Sequence, residues 1–209
     1  MMGTRTPAQL ILASASPRRQ ELLQQIGVSF EVCPVDIDES PLDDESPATY
    51  VERMAMEKAR AGWEASDRSL PVLGSDTAVV IDGQVLGKPR DRAHGLEMLH
   101  GLSGREHLVM TSVAMVRDNE TAIRLSESRV IFSDIPYDER VRYWESGEPA
   151  DKAGGYAIQG RAAAFIQRLE GSFSGVMGLP LYESSELLNQ FGIDVTQNWA
   201  KQQNLDEQP

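Results

Sequence analysis

A single α/β domain built on a mixed β-sheet is the fold that this sequence predicts. Three observations carry that expectation. Short runs rich in Leu, Ile and Val alternate with segments at helical spacing. Asp82-Gly83, set between two apolar runs, is a hairpin signal that demands at least one antiparallel pair. No repeat, linker or low-complexity block divides residues 1–209. A chain of 209 residues with 41% hydrophobic and 25% charged residues is large enough to bury a substantial core.

The elements follow in order. Residues 10–13 read as a short strand. Ser16-Pro17 then opens a helix, pairing a capping hydroxyl with a proline in the first turn. Leu22, Leu23 and Ile26 form its apolar side, and Gly27 stops it. Residues 29–35 read as a second strand leading into an acidic loop, 36–45. Ser46-Pro47 opens a second helix, along which Val51, Met54, Ala55, Lys58, Ala59 and Gly62 cluster at helical spacing. Lys58 either lays its stem across the core with its ammonium in solvent or points into a cleft. Residues 71–73 read as a short strand ending at Gly74-Ser75-Asp76-Thr77, where glycine permits a backbone turn that presents its neighbours at a strand end. Residues 78–81 and 84–86 form the hairpin. Asp91 caps a helix to about Leu102, broken by Ser103-Gly104. Residues 106–117 read as a long strand, with alternation between Val109 and Val116, Asn119 turns the chain, and 122–133 return. A helix over 136–144, a glycine-rich loop over 151–160, a strand over 163–169, a Gly/Ser-rich connection and a helix over 181–191 complete the domain. Beyond Ile193 the chain turns polar and reads as a frayed tail.

The formal net charge of −12 argues against a broad nucleic-acid-binding surface, which needs a basic stripe, but leaves room for a small basic pocket. Cys33 is the one cysteine and follows Val32 in an apolar stretch, so it reads as a structural thiol; neither a disulfide within the chain nor a thiolate metal site can be built from it. No stretch approaches the ~18 apolar residues of a membrane span, and the N-terminus lacks the apolar core of a secretion signal, so the expected location is cytoplasmic, away from membranes. His94, His100 and His107 show no metal-ligand spacing and read as surface residues.

Four segments carry chemistry. Arg18 and Arg19 sit at a helix start, where the backbone is electropositive and cations are disfavoured unless an anion joins them. Free N–H groups and two guanidinium forks together suit a phosphate chain; the alternative is two solvated arginines on a surface helix. Asp76 suits a general base for water, a ligand for a divalent cation, or a turn-former bonding its own backbone. Lys88, held extended by Pro89, suits a phosphate contact or a solvated loop. In the loop of 152–160, Gln159 offers both donor and acceptor, complementary to the edge of uracil or thymine, or to its own loop; Tyr156 stacks on a ligand or packs. No P-loop, dinucleotide fingerprint or nucleophile elbow is present.

Taken in order, Ser14-Ala15-Ser16-Pro17-Arg18-Arg19, Asp36-Ile37-Asp38-Glu39, Glu57-Lys58-Ala59, Gly74-Ser75-Asp76-Thr77, Gly87-Lys88-Pro89, Asp151-Lys152-Ala153-Gly154 through Gln159-Gly160, and Gly178-Leu179-Pro180 resemble the Maf family of nucleoside triphosphate pyrophosphatases. The likeness runs from about Leu10 to Ile193, within one domain spanning 1–209. It implies an elongated mixed sheet with flanking helices and a central cleft, like that of inosine triphosphate pyrophosphatases. It implies hydrolysis of a nucleoside triphosphate to monophosphate and pyrophosphate, with a divalent cation, Mg²⁺ or Mn²⁺. By motif, Asp76 is the expected proton acceptor. Arg18, Thr77 and Gln159 are expected to choose the base, and Ser14, Arg19, Lys58 and Lys88 to surround the phosphates. Glu39 and Asp76 are the expected metal ligands, with Asp38 a further candidate.

The family has a branch acting on dTTP and UTP and another acting on 7-methyl-GTP. The second typically carries an aromatic residue, glutamine and glutamate where this chain has Arg18, Thr77 and Gln159, so the likeness is to the first. Modified pyrimidine triphosphates fall within the same expectation. The competing expectation is a nucleotide-sensing module acting on cell division with little turnover. The family often forms homodimers, which makes a second copy an expected partner beside the nucleotide.

Overall fold

The computed structural model describes residues 7–197 and Trp199. Residues 1–6 and most of the polar tail expected beyond Ile193 lie outside the described residues. Strands β1 (Leu10–Leu12), β2 (Phe30–Val32), β3 (Val72–Ile81), β4 (Gln84–Leu86), β5 (Glu106–Arg117), β6 (Glu120–Phe132) and β7 (Ile166–Glu170) form one mixed sheet. Its order is β2-β1-β3-β5-β6-β7, with β4 paired to β3. β1 runs parallel to β2 and β3, and the remaining pairs are antiparallel. The helices are α1 (Pro17–Gln25), α2 (Pro47–Ala65), α3 (Arg92–Leu102), α4 (Tyr137–Glu145), α5 (Phe173–Met177) and α6 (Leu181–Gln190). Among the described residues no helix is long and apolar enough to cross a membrane.

The period-two alternation of the strands splits the core into layers. Leu10 and Leu12 join Leu22, Leu23, Leu187 and Leu188 beneath α1 and α6. Ile11 and Ala13 face Ala55, Ala59 and Trp63 of α2 on the opposite side. Leu99, Leu102 and Tyr143 close a third cluster against Val79, Val109 and Val130.

The cleft comes from a break in strand pairing. β5 takes one edge of β3 from Val72 to Val80. On the other edge, β1 pairs only with Val72 and Leu73, and β4 only with Val79 to Ile81. Among the described residues, 74–78 have no strand partner on that side, and the chain leaving β1 and the chain leaving β4 wall the gap. The hairpin that carries β4 turns at Asp82 and Gly83, both at positive φ, as the Asp-Gly signal requires.

Several expectations are corrected. Residues 71–81 are not strand, turn and strand: Gly74-Ser75-Asp76-Thr77 lies inside one ten-residue strand, and Asp76 pairs with Ser112 of β5. Gly74 serves close packing, not a turn. A methyl group there would lie 2.3 Å from the Ala55 carbonyl oxygen and 2.6 Å from the Ala59 nitrogen, so α2 rests directly on the β3 backbone. Ser16 precedes α1 in extended geometry but makes no side-chain cap; Pro17 still occupies the first turn. Ser46 and Asp91 do cap, accepting from Thr49 N and His94 N. β2 is shorter than 29–35. Residues 161–165 form a 3₁₀ turn before β7, and α5 occupies the expected connection. His107 is buried, at 3% exposure, because strand parity puts it on the same side as Val109. Its Nε2 pairs with Tyr156 OH at 2.8 Å, and Phe132 meets both rings edge-on. Tyr156 therefore packs, 5% exposed at the floor of this cluster. Cys33 is half-buried against the α2-side core.

Two outcomes follow. Gly74→Ala should cost about 3 kcal/mol by urea unfolding, since backbone and not a flexible side chain must yield; an unchanged midpoint would mean that α2 is not seated there. Burial pushes the His107 pKa down to about 4, against about 6.5 in an unfolded chain. Between those values the unfolded chain holds the extra proton, so stability rises with pH through that window and is flat above it. The slope should sum to about 3 kcal/mol and disappear in His107→Gln, measured by unfolding at pH 4 to 7.

Candidate functional site

Ser14 stands where the chain leaves β1. Its hydroxyl oxygen accepts from Arg19 Nη1 at 3.1 Å and from the Ser16 backbone N–H at 3.2 Å. Both lone pairs are then used, and the Ser14 proton remains to be donated. Arg19 is held from two further sides: Nε donates to the Gly178 carbonyl at 2.8 Å, and Nη2 lies 3.5 Å from Thr77 Oγ1. Arg18 Nε donates to the Met177 carbonyl at 3.2 Å. The misplaced cations at the start of α1 are thus partly offset by carbonyls at the exit of α5, which lack helical partners of their own. Ser75 Oγ also donates to Gly178 O, at 3.0 Å.

Thr111 fixes Thr77. Its hydroxyl lies 2.7 Å from Gly175 O and 3.1 Å from Thr77 Oγ1. Thr111 Oγ1 is the donor toward both, and Thr77 Oγ1 accepts from it as it does from Arg19 Nη2.

Lys58 points into the cleft. Its ammonium lies 2.7 Å from Asp76 Oδ1 and 2.6 Å from Glu39 Oε1. The side chains of Lys58 and Asp76 are 11% and 12% exposed. Among the described residues no donor is hydrogen-bonded to Asp76 Oδ2. For Glu39, burial would raise the pKa, but the Lys58 hydrogen bond and charge, with Lys88 and Arg19 behind them, hold it below the usual carboxylate value. Burial pulls Arg19 below the ordinary guanidinium value; Arg18 adds to that, while Asp76 and Glu39 oppose it. Burial and then the charges of Asp76 and Glu39 push Tyr50 up to about 12.

These groups share one cleft of about 660 Å³. Ser14, Arg18, Arg19 and Glu39 line it together with Lys58, Asp76, Thr77, Lys88 and Gln159, so all nine residues singled out from the sequence converge. Gln159 and Lys88 are exposed at its surface. Asp38 does not line it; its Oδ1 accepts from Ser40 N at 2.9 Å within its own loop, so it is not placed as a third metal ligand. Lys152, paired to Asp151, Tyr50 and the carbonyl-bearing segment at Met177 and Gly178 are lining groups that sequence reasoning did not assign. Tyr50 lies two turns before Lys58 on α2, a signal that helical spacing could have supplied. Five cationic side chains face three carboxylates here, in a chain with 32 acidic and 20 basic residues.

Among the described residues no group of three or more His, Cys, Asp or Glu could hold a metal ion. Glu39 and Asp76 are nevertheless two hard oxygen donors already sharing one cation, the Lys58 ammonium. Two carboxylates completed by ligand oxygens and water fit an ion of the Mg²⁺ type, which seldom takes an all-protein cage.

Comparison with known proteins identifies the family. A dTTP/UTP pyrophosphatase from Alkalilimnicola ehrlichii is 55% identical over 195 residues, covering 91% of this chain and 96% of that one. A dTTP/UTP pyrophosphatase from Saccharophagus degradans is 52% identical over 196 residues, covering 92% and 93%. Among solved structures, a nucleoside-triphosphatase, dITP/XTP pyrophosphatase, from Mycobacterium abscessus is 20% identical with a TM-score of 0.39, covering 61% of this chain and 74% of that chain. The family model described as Maf-like protein matches residues 9–191, a span that holds β1 to β7, α1 to α6 and the residues lining the cleft, and the chain belongs to the Maf family.

Proposed function

We propose that this protein hydrolyses dTTP and UTP, and modified pyrimidine triphosphates of the same edge pattern, to the nucleoside monophosphate and pyrophosphate. The observation that carries the reading is the Lys58 ammonium set between Asp76 and Glu39, beside an arginine pair held in place by backbone carbonyls. Relatives about half identical to this chain bear the name of that activity.

In this reading the triphosphate lies along Ser14, Arg19, Lys58 and Lys88. The spare Ser14 proton and the guanidinium and ammonium groups bind non-bridging oxygens, and they take up charge as the pyrophosphate leaves. Asp76 Oδ2 takes a proton from water as the water oxygen bonds to the innermost phosphorus and the bond from that phosphorus to the bridging oxygen breaks. Asp76 sits on a strand locked to β5, which holds the base at a fixed place in the cleft. A divalent cation on Glu39 and Asp76, Mg²⁺ or Mn²⁺, would acidify bound water and neutralise phosphate charge.

Arg18, Thr77 and Gln159 choose the base. The Gln159 amide has no protein hydrogen-bond partner among those found in the described residues, so both its N–H₂ and its carbonyl serve a ligand. Uracil and thymine share the carbonyl, N–H, carbonyl edge that such an amide complements.

The first test is a turnover screen over a nucleotide panel with Mg²⁺ and Mn²⁺, detecting pyrophosphate. UTP and dTTP should release it; tight binding without turnover would favour the sensing module instead. Asp76→Asn should lower kcat by about 10²–10⁴-fold while nucleotide binding persists; retained turnover would refute Asp76 as the base. Gln159→Glu removes the donor and adds charge. It should lower kcat/KM for UTP and dTTP about tenfold or more, and an unchanged ratio would remove Gln159 from base choice.

A further inference from the structure

Glu39 reaches Lys58 from a segment without regular structure. Residues 33–42 form no helix or strand, and the Glu39 side chain is 55% exposed. Something besides Lys58 must hold such a segment over the cleft, and α2 does so in the two turns that precede Lys58. Arg53 Nε and Nη2 grip Glu45 Oε1 and Oε2 at 2.6 and 2.7 Å, a two-pronged guanidinium–carboxylate pair. The same Nη2 donates to the Ser40 carbonyl at 3.0 Å, one residue past Glu39. Glu45 Oε2 also accepts from the Leu42 backbone N–H at 3.1 Å. Tyr50 OH donates to the carbonyl of Glu39 at 2.9 Å, and the Arg53 guanidinium lies 5.7 Å from the Tyr50 ring centroid. The loop is thus tied to one helix at its middle and at its end.

The tie is sheltered. The Glu45 side chain is 3% exposed, so solvent and salt screen the pair less than an ordinary surface bridge. The Arg53 hydrogen bonds hold the Glu45 carboxyl down to about 2, which keeps the tie charged in mild acid. Lysine could not replace this arginine, because one ammonium cannot span both carboxylate oxygens and the Ser40 carbonyl with the same planar geometry.

We propose that Arg53, gripping Glu45 and the Ser40 carbonyl, is a positioning residue that together with Tyr50 sets Glu39 against Lys58 for the pyrophosphatase reaction, and so rests on the role given to Glu39 above. The loop is not a passive connection. It is strapped to the helix that also delivers Lys58, so the two partners of the ion pair share one carrier.

Two measurements on the full chain decide it. In amide exchange followed by mass spectrometry, Arg53→Met and Tyr50→Phe should speed exchange over residues 36–45 by about tenfold while α2 stays protected. Unchanged exchange in that loop overturns the strap, whether or not any nucleotide is turned over. Tyr50→Phe removes a single hydroxyl and carries the test should Arg53→Met fail to fold.

In pyrophosphate release from UTP, Arg53→Met should lower kcat about tenfold and Tyr50→Phe a few fold, with KM within about threefold. Both penalties should vanish in a Glu39→Gln background, because the strap acts through that carboxylate. Equal penalties in both backgrounds overturn the positioning role and leave Arg53 a support for the fold alone. A Glu39→Gln protein with unchanged kcat removes the role of Glu39 and the proposal with it. A wild-type protein that turns over no nucleotide overturns the reaction class, while the exchange data still decide the strap.

Discussion

The seating of α2 on β3 governs everything else in the cleft. With Gly74 on the strand and Ala55 and Ala59 on the helix, two backbones meet with no side chain between them. Lys58 precedes Ala59 by one residue, and Asp76 follows Gly74 by two. The contact therefore sets the register that brings the ammonium to 2.7 Å from the carboxylate. Charges so little exposed are costly to hold unless each is answered at close range. Here one cation answers two carboxylates, and the rest of the cleft grows outward from that triad.

The arginine pair follows a different logic. At the start of α1 the local field disfavours both guanidinium groups. The chain compensates with carbonyls from more than a hundred and fifty residues later, at the exit of α5. Each arginine commits its Nε to a carbonyl, which fixes the plane of the fork and turns the remaining N–H groups toward the cleft. Donors fixed in advance need little reorganisation when an anion arrives or when its charge shifts. The acidic remainder of the chain, with a formal net charge of −12, leaves this basic pocket as a local exception.

Much of this was legible in the sequence because the signals were local. Ser46 and Asp91 announced helices that they do cap, and the apolar run from Val109 to Val116 marked β5. The nine candidate residues were legible through residue type and order, and all nine line the cleft. What escaped depends on partners distant in the chain. Gly74 looks like a turn former until α2 is placed on it, and His107 looks like a surface residue until strand parity turns it inward. Asp38 and Glu39 are neighbours in sequence, yet one bonds its own loop and the other reaches Lys58. The carbonyls of Met177 and Gly178 carry no residue-type signal at all, because any residue could supply them.

The unpaired edge of β3 also has a consequence for how such a cleft diversifies. Asp76 sits on a strand whose other edge is engaged by β5, whereas Val85 and Leu86 on one wall belong to a short hairpin and Lys88 follows it. Aperture and chemistry are therefore carried by separable parts of the chain. Inserting or deleting residues around Asp82 and Gly83 re-dimensions the slot for a bulkier or slimmer guest without disturbing the ladder on which Asp76 stands.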